Sequence, residues 1–79
     1  MSVTFFICTK NAIGKTHVVV KDKNNGMQII LNEDIPQDDC REVTANGDAS
    51  DEANIEYSLN GGSSYGHPYI KSGERVNVF

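Results

Sequence analysis

Two cysteines, Cys8 and Cys40, and two histidines, His17 and His67, are the side chains of this sequence best suited to covalent or metal chemistry. The cysteines can close one intramolecular disulfide, and all four side chains together could instead hold zinc. No Cys-x-x-Cys or His-x3-His spacing is present, and His17 runs straight into Val18-Val19-Val20, which reads as strand. A structural disulfide is therefore the expectation, and a metal site is not. Closing the loop between Cys8 and Cys40 would stabilise the fold by roughly 3–4 kcal/mol. Two buried, reduced thiols are the alternative that a cytosolic protein would show.

Other groups suggest catalysis only on paper. Ser63 or Ser64 could act as a nucleophile with His67 as base, but residues three or four apart in a glycine-rich stretch have no enforced geometry. No Gly-x-Ser-x-Gly elbow occurs either. Glu42 and Glu56 could be posed as paired carboxylates, yet nothing in the spacing separates their roles. Gly14-Lys15-Thr16 resembles the tail of a phosphate loop, but Thr9 stands where the motif needs glycine and a strand pattern follows where it needs a helix. Asn46 to Glu52 sets oxygen-bearing side chains at alternate positions, as a calcium loop does. Counting from Asn46, the sixth position is Asp51 rather than glycine and the twelfth is Tyr57 rather than glutamate. No catalytic residue and no cofactor is expected.

Recognition is better supported. Gly61-Gly62-Ser63-Ser64-Tyr65-Gly66-His67-Pro68-Tyr69 mixes rigid amphipathic tyrosines with small, adaptable residues. Antibody paratopes use the same mixture, because tyrosine offers contact area at low entropic cost. Nine residues is also longer than a hairpin connection requires. Tyr65, His67 and Tyr69 are thus expected to contact a partner from a loop; the plainer alternative tucks these tyrosines onto the sheet edge. The net charge of −4 is unevenly spread, with +3 over residues 1–32, −8 over 33–56 and +1 over the remainder. The acidic stretch, Asp38 and Asp39 in particular, suits a basic protein partner and argues against nucleic acid, which demands clustered Lys and Arg.

Those side chains must be carried by strands, since the apolar residues recur with period two. Val3 to Cys8 places Val3, Phe5 and Ile7 on one face, and Thr16 to Asp22 sets Val18 and Val20 against Val19. Met27 to Asn32 follows, with Ile29 and Leu31 on one side and Ile30 on the other. Cys40 to Ala45 is weaker, with Val43 its one large apolar residue. Asn54 to Asn60 directs Ile55, Tyr57 and Leu59 inward. The end reads as a hairpin, Tyr69–Lys71 turning at Ser72-Gly73 into Arg75–Phe79. Asn24-Asn25-Gly26, Asn46-Gly47 and Asn60-Gly61 punctuate the strands with residues that accept positive φ.

Seventy-nine residues give a single β-domain, 1–79, with a marginal core: chains of this length bury only about 60% of their unfolded surface. The expected fold is all-β, a small six- to seven-stranded antiparallel sandwich or barrel with one disulfide. No transmembrane span or membrane partner is indicated. The start Met1-Ser2-Val3 lacks a signal sequence and fits either a cytosolic protein or a mature secreted domain; the cysteine pair and the Asn/Gly/Ser-rich loops favour secretion. In architecture alone, the layout resembles that of small secreted fungal effectors and small β-sandwich enzyme inhibitors, although Cys8 closes its strand where the effector layout opens one. The expected function is a non-enzymatic binding module that recognises a protein. Alternatives are a carbohydrate- or calcium-binding β-domain, and an assembly subunit that associates through strand edges.

Overall fold

A computed structural model describes all residues 1–79. Seven strands form: β1 (Ser2–Cys8), β2 (Thr16–Asp22), β3 (Gln28–Ile35), β4 (Cys40–Asn46), β5 (Ala53–Leu59), β6 (Ser64–Ile70) and β7 (Arg75–Asn77). They divide into a three-stranded sheet of order β4-β1-β7 and a four-stranded sheet of order β3-β2-β5-β6. The chain is a β-sandwich with no α-helix, and Cys8 and Cys40 are bridged.

Alternation decides what is buried. In β1, Val3, Phe5 and Ile7 are at most 1% exposed, and in β2 Val18 and Val20 are fully buried between the layers. Leu31 and Ile35 from β3, Val43 and Ala45 from β4, Ala53 and Ile55 from β5, and Ile70, Val76 and Val78 complete one continuous core. Strands β1, β2, β4 and β5 contribute apolar residues two apart, as an aligned sandwich requires, whereas β3 contributes Leu31 and Ile35 four apart and β6 and β7 one residue each.

The buried polar groups hold the ends of the sandwich. Asp22, at the end of β2, is 1% exposed, and its carboxylate accepts from Asn24 N (3.0 Å) and from Asn46 N (2.8 Å). Asn46 closes β4, so this single side chain ties one sheet to the other. Asn24 Nδ2 adds a bond to the Asn46 carbonyl at 3.0 Å. At the opposite end, Thr9 is fully buried and its hydroxyl donates to the Pro36 carbonyl at 2.7 Å. Thr9 N donates to Asp39 O and Asp38 N donates to Thr9 O, both at 2.9 Å, which fixes the β3–β4 connection onto the end of β1.

Several expectations need correction. The segment Gly61–Tyr69 is not a nine-residue loop: only Asn60–Ser63 turns, and residues from Ser64 onward are strand β6, paired with β5. Asn60 (φ 52) and Gly61 (φ 72) are the central pair of that turn, closed by Gly62 N donating to Leu59 O at 2.9 Å. Two successive positive φ values are what a type I′ hairpin needs, and Asn-Gly supplies them at the least steric cost. The terminal hairpin is also absent. Ser72-Gly73 does turn, with Glu74 N donating to Lys71 O, but β6 and β7 lie in different sheets and β7 pairs parallel with β1. Pairing is thus antiparallel except at that one contact. The third strand runs on to Ile35, and a register shift at Val20/Lys21 leaves Ile29 52% exposed rather than inward. A strand with only one neighbour need not be apolar on both faces.

Removing the Asp22 carboxylate leaves two part-buried amides without their acceptor, and each such group costs about 1–3 kcal/mol when water cannot replace it. Asp22→Ala should destabilise the fold by about 3 kcal/mol in urea denaturation, and Asp22→Asn by less, because the amide oxygen can still accept one of the two bonds.

Candidate functional site

One end of the sandwich gathers the β1–β2 loop (residues 9–15), the β3–β4 connection (36–39), the β5–β6 turn (60–63) and the final residues 78–79. Hydrogen bonds knit these segments together. Asn11 N donates to Phe79 O at 3.0 Å, Gly14 N to Gln37 Oε1 at 3.3 Å, and Asn60 N to His17 O at 2.8 Å. His17 N returns a bond to Asn60 Oδ1 at 2.9 Å. The loops are therefore held by the scaffold, the condition under which a loop surface is organised for binding.

This end carries an apolar cleft of about 260 Å³ lined by Tyr57, Leu59, Tyr65, Val78 and Phe79. Its origin lies in the layer widths. Tyr57 and Leu59 share the inward parity of Ala53 and Ile55, and Tyr65 stands opposite Tyr57 in register. The narrower sheet does not cover them. Tyr65 is left 55% exposed, stacked obliquely on Tyr57 with ring centroids 5.7 Å apart, and Phe79 is 45% exposed. On the loop whose backbone bonds Phe79, Ile13 is 93% exposed.

A second, polar depression of about 210 Å³ lies on the outer face of the three-stranded sheet, lined by Cys8, Lys10, Asp38, Asp39, Cys40, Arg75 and Asn77. Of the two acids that line it, Asp39 is partnered and Asp38 makes no ion pair. Arg41 donates through Nε to Glu33 and through a terminal nitrogen to Asp39, both at 2.9 Å. That guanidinium, with the Cys40 amide, holds the Asp39 carboxyl below the usual carboxylate range. Asp34 is held below its ordinary value first by His17. Residues 33–56 are thus less bare than their charge of −8 implies.

The expected partner-binding residues are divided by this geometry. Tyr65 lines the apolar cleft, while Asp38 and Asp39 line the polar depression at the same end of the molecule. His67 is half-buried opposite Ile55. Tyr69 belongs to the far end of β6 and lines neither hollow. It sits at φ 62 where β6 carries one residue more than β5, and it is 71% exposed. A bulky residue in the left-handed region costs roughly 1–2 kcal/mol, so this bulge presents Tyr69 to solvent against its local preference.

Tyr57, Leu59, Val78, Phe79 and Ile13 were not singled out as binding residues from sequence. The alternation of β5 and β7 assigns the first three to the core, and no pattern reveals that the covering layer is one strand too narrow. Ile13, isolated between Ala12 and Gly14, gives no periodic signal at all.

The remaining chemical candidates are kept apart or engaged elsewhere. Ser64 and His67 lie three residues apart on one regular stretch of strand and so point to opposite faces. Glu42 and Glu56 occupy the outer faces of different sheets. Asp48 Oδ1 accepts from Ser50 N at 2.8 Å and Glu52 N at 3.1 Å, so the Asn46–Glu52 loop uses that oxygen to order its own backbone. No three His, Cys, Asp or Glu side chains converge on a position that could hold a metal. No protein-family model matches the sequence, and neither a curated protein nor a solved structure matches it.

His17 sets a pH signature for the end that it braces. Nδ1 lies 2.7 Å from Asp34 Oδ1 and Nε2 lies 2.8 Å from Asn32 Oδ1. Two acceptors on one ring favour the imidazolium, and the bond to Asp34 is the main cause of a pKa raised above 6.5. A raised folded-state value means that His17 contributes stability fully below its unfolded pKa and loses the contribution as pH climbs through the folded one. Asp34, with its value lowered, contributes above 3.8 and loses its part as pH falls through the folded value. The pair therefore acts between those limits. Asp34→Asn should move the His17 ring-proton titration back towards 6.5, and should lower the melting temperature at pH 5.5 more than at pH 8.5.

Proposed function

We propose that the chain is a non-enzymatic binding module that recognises a protein partner at the loop-bearing end of the sandwich. The observation that carries this reading is the apolar cleft of Tyr57, Leu59, Tyr65, Val78 and Phe79. Aromatic side chains held open over a cleft are typical anchors of protein interfaces, where a few such contacts dominate the binding energy. The partner supplies an aliphatic or aromatic side chain to the cleft, and Ile13 extends the contact beyond it. Charged groups elsewhere on this end, Lys10 and Lys15 of the β1–β2 loop and Asp38 of the β3–β4 connection, fix orientation rather than affinity. The net charge of −4 favours approach of a basic partner, an effect that salt weakens. The bridged cysteines fit an oxidising, secreted setting for such a module.

A displayed library of random peptides, selected on the folded protein, tests this reading. Enriched peptides should carry an apolar anchor, and their amide-shift footprint should fall on Tyr57, Leu59, Tyr65, Val78 and Phe79. Tyr65→Ala and Phe79→Ala should each weaken a selected peptide by at least about tenfold, the scale of an interface hot spot. Footprints on Asn46–Glu52, or calcium-dependent binding confined to a glycan array, would instead support a carbohydrate- or calcium-binding domain and overturn the proposal.

A further inference from the structure

The Cys8–Cys40 bridge stands outside the core. Cys8 has the opposite parity to Val3, Phe5 and Ile7, so its side chain turns to the outer face of the three-stranded sheet, where Cys40 faces it across the β1–β4 register. There the two cysteines form part of the wall of the polar depression, open to solvent. They are unequally covered: Cys8 is 3% exposed, whereas Cys40 is only half-buried.

Charge is unequal in the same sense. Arg75 pairs with Phe6 and Asn77 with Cys8 in the β1–β7 register, and Lys10 follows two residues after Cys8. Both cations therefore gather on the Cys8 side of the depression, and neither makes an ion pair. Two acids also line the depression: Asp39 is already occupied, with Oδ1 accepting from Cys40 N at 2.8 Å and Oδ2 from Arg41 at 2.9 Å, while Asp38 makes no ion pair and offsets one of the two cations.

We propose that Cys8–Cys40 is a thiol-exchange site at which a small-molecule thiol forms a mixed disulfide with Cys40 while Cys8 is the leaving group. The incoming thiolate donates its electron pair to Cys40 Sγ, the Cys8–Cys40 bond breaks, and its electrons depart on Cys8 Sγ as a thiolate. One protein disulfide becomes one mixed disulfide and one free thiol, with no change in the number of S–S bonds. A second small thiol can then attack the mixed disulfide at the small-molecule sulfur, which leaves both cysteines reduced and two small thiols oxidised to their disulfide. Exchange is faster when the attacked sulfur is accessible and the departing thiolate is stabilised. Exposure supplies the first condition at Cys40; Lys10 and Arg75 supply the second at Cys8, since neighbouring cations favour a thiolate.

The fold does not have to open for this step. Register pairs from Ser2–Asn46 to Ile7–Arg41 and the Thr9 bonds hold β1 against β4 and the β3–β4 connection without the bridge. The core lies on the other face.

The folded protein, incubated with reduced glutathione near neutral pH and quenched with excess N-ethylmaleimide, should yield peptides with glutathione on Cys40 and maleimide on Cys8. The Lys10→Gln/Arg75→Gln double variant should exchange about tenfold more slowly, with an unreduced melting temperature like that of the parent. In urea, where the cations are no longer held beside Cys8, the two proteins should react alike. Glutathione on Cys8, equal rates for the two folded proteins, or exchange no faster than global unfolding measured by hydrogen exchange would overturn the proposal. The position of the adduct in the parent protein decides the matter even if the variant folds poorly.

Discussion

The structure depends on an inequality: three strands cover four. Each inward-facing apolar residue must find a partner in the other layer, and the narrower sheet supplies enough for β2 and β3 but not for β5 and β6 at the loop-bearing end, where Tyr57, Leu59 and Tyr65 lie. Val18, Val20 and Ile55 are fully buried as a result, whereas Tyr65, of the same inward parity through its register with Tyr57, is 55% exposed. A short strand, β7, joined parallel to β1, together with the residues that follow it, provides the cover that remains. Val78 reaches the core, and Phe79 only rims the cleft. The apolar cleft is thus a consequence of the architecture, and the proposed function rests on it.

A core this small leaves the polar groups at its ends a large share of the work. Asp22 joins the two sheets at one end, and Thr9 fastens the β3–β4 connection to β1 at the other. Thr9 lies directly after Cys8, so the bridge and the hydroxyl secure the same junction by independent means. That redundancy separates two roles. The bridge constrains the unfolded chain, while the hydrogen bonds define the native junction. An exchangeable disulfide at the edge of the binding end is compatible with a folded scaffold for this reason.

Much of the fold was legible because alternation is local. Val3, Phe5 and Ile7, or Val18 and Val20, declare their face within one strand, and Asn60-Gly61 declares its turn from two residues. The disulfide was legible too, from the number of cysteines and the absence of ligand spacing. What could not be read is non-local. Nothing near Arg75-Val76-Asn77 says that β7 joins β1 in parallel rather than returning along β6. The glycine, proline and serine between Gly61 and Tyr69 obscured a strand whose only pairing is with β5. The cleft follows the same rule: Tyr65 was expected at the surface from its own chemistry and lines it, while Tyr57 and Leu59 are left half-buried and Phe79 exposed only through the mismatch of the two layers.

The central claim, that an uncovered apolar strip forms a preorganised cleft, can be tested directly by titrating the folded, uniformly labelled protein with a small apolar probe such as benzene and following side-chain resonances. Saturable shifts confined to Tyr57, Leu59, Tyr65, Val78 and Phe79 are expected, with the core valines of β2 unmoved. Shifts scattered over the surface, or centred on any other group of residues, would contradict it.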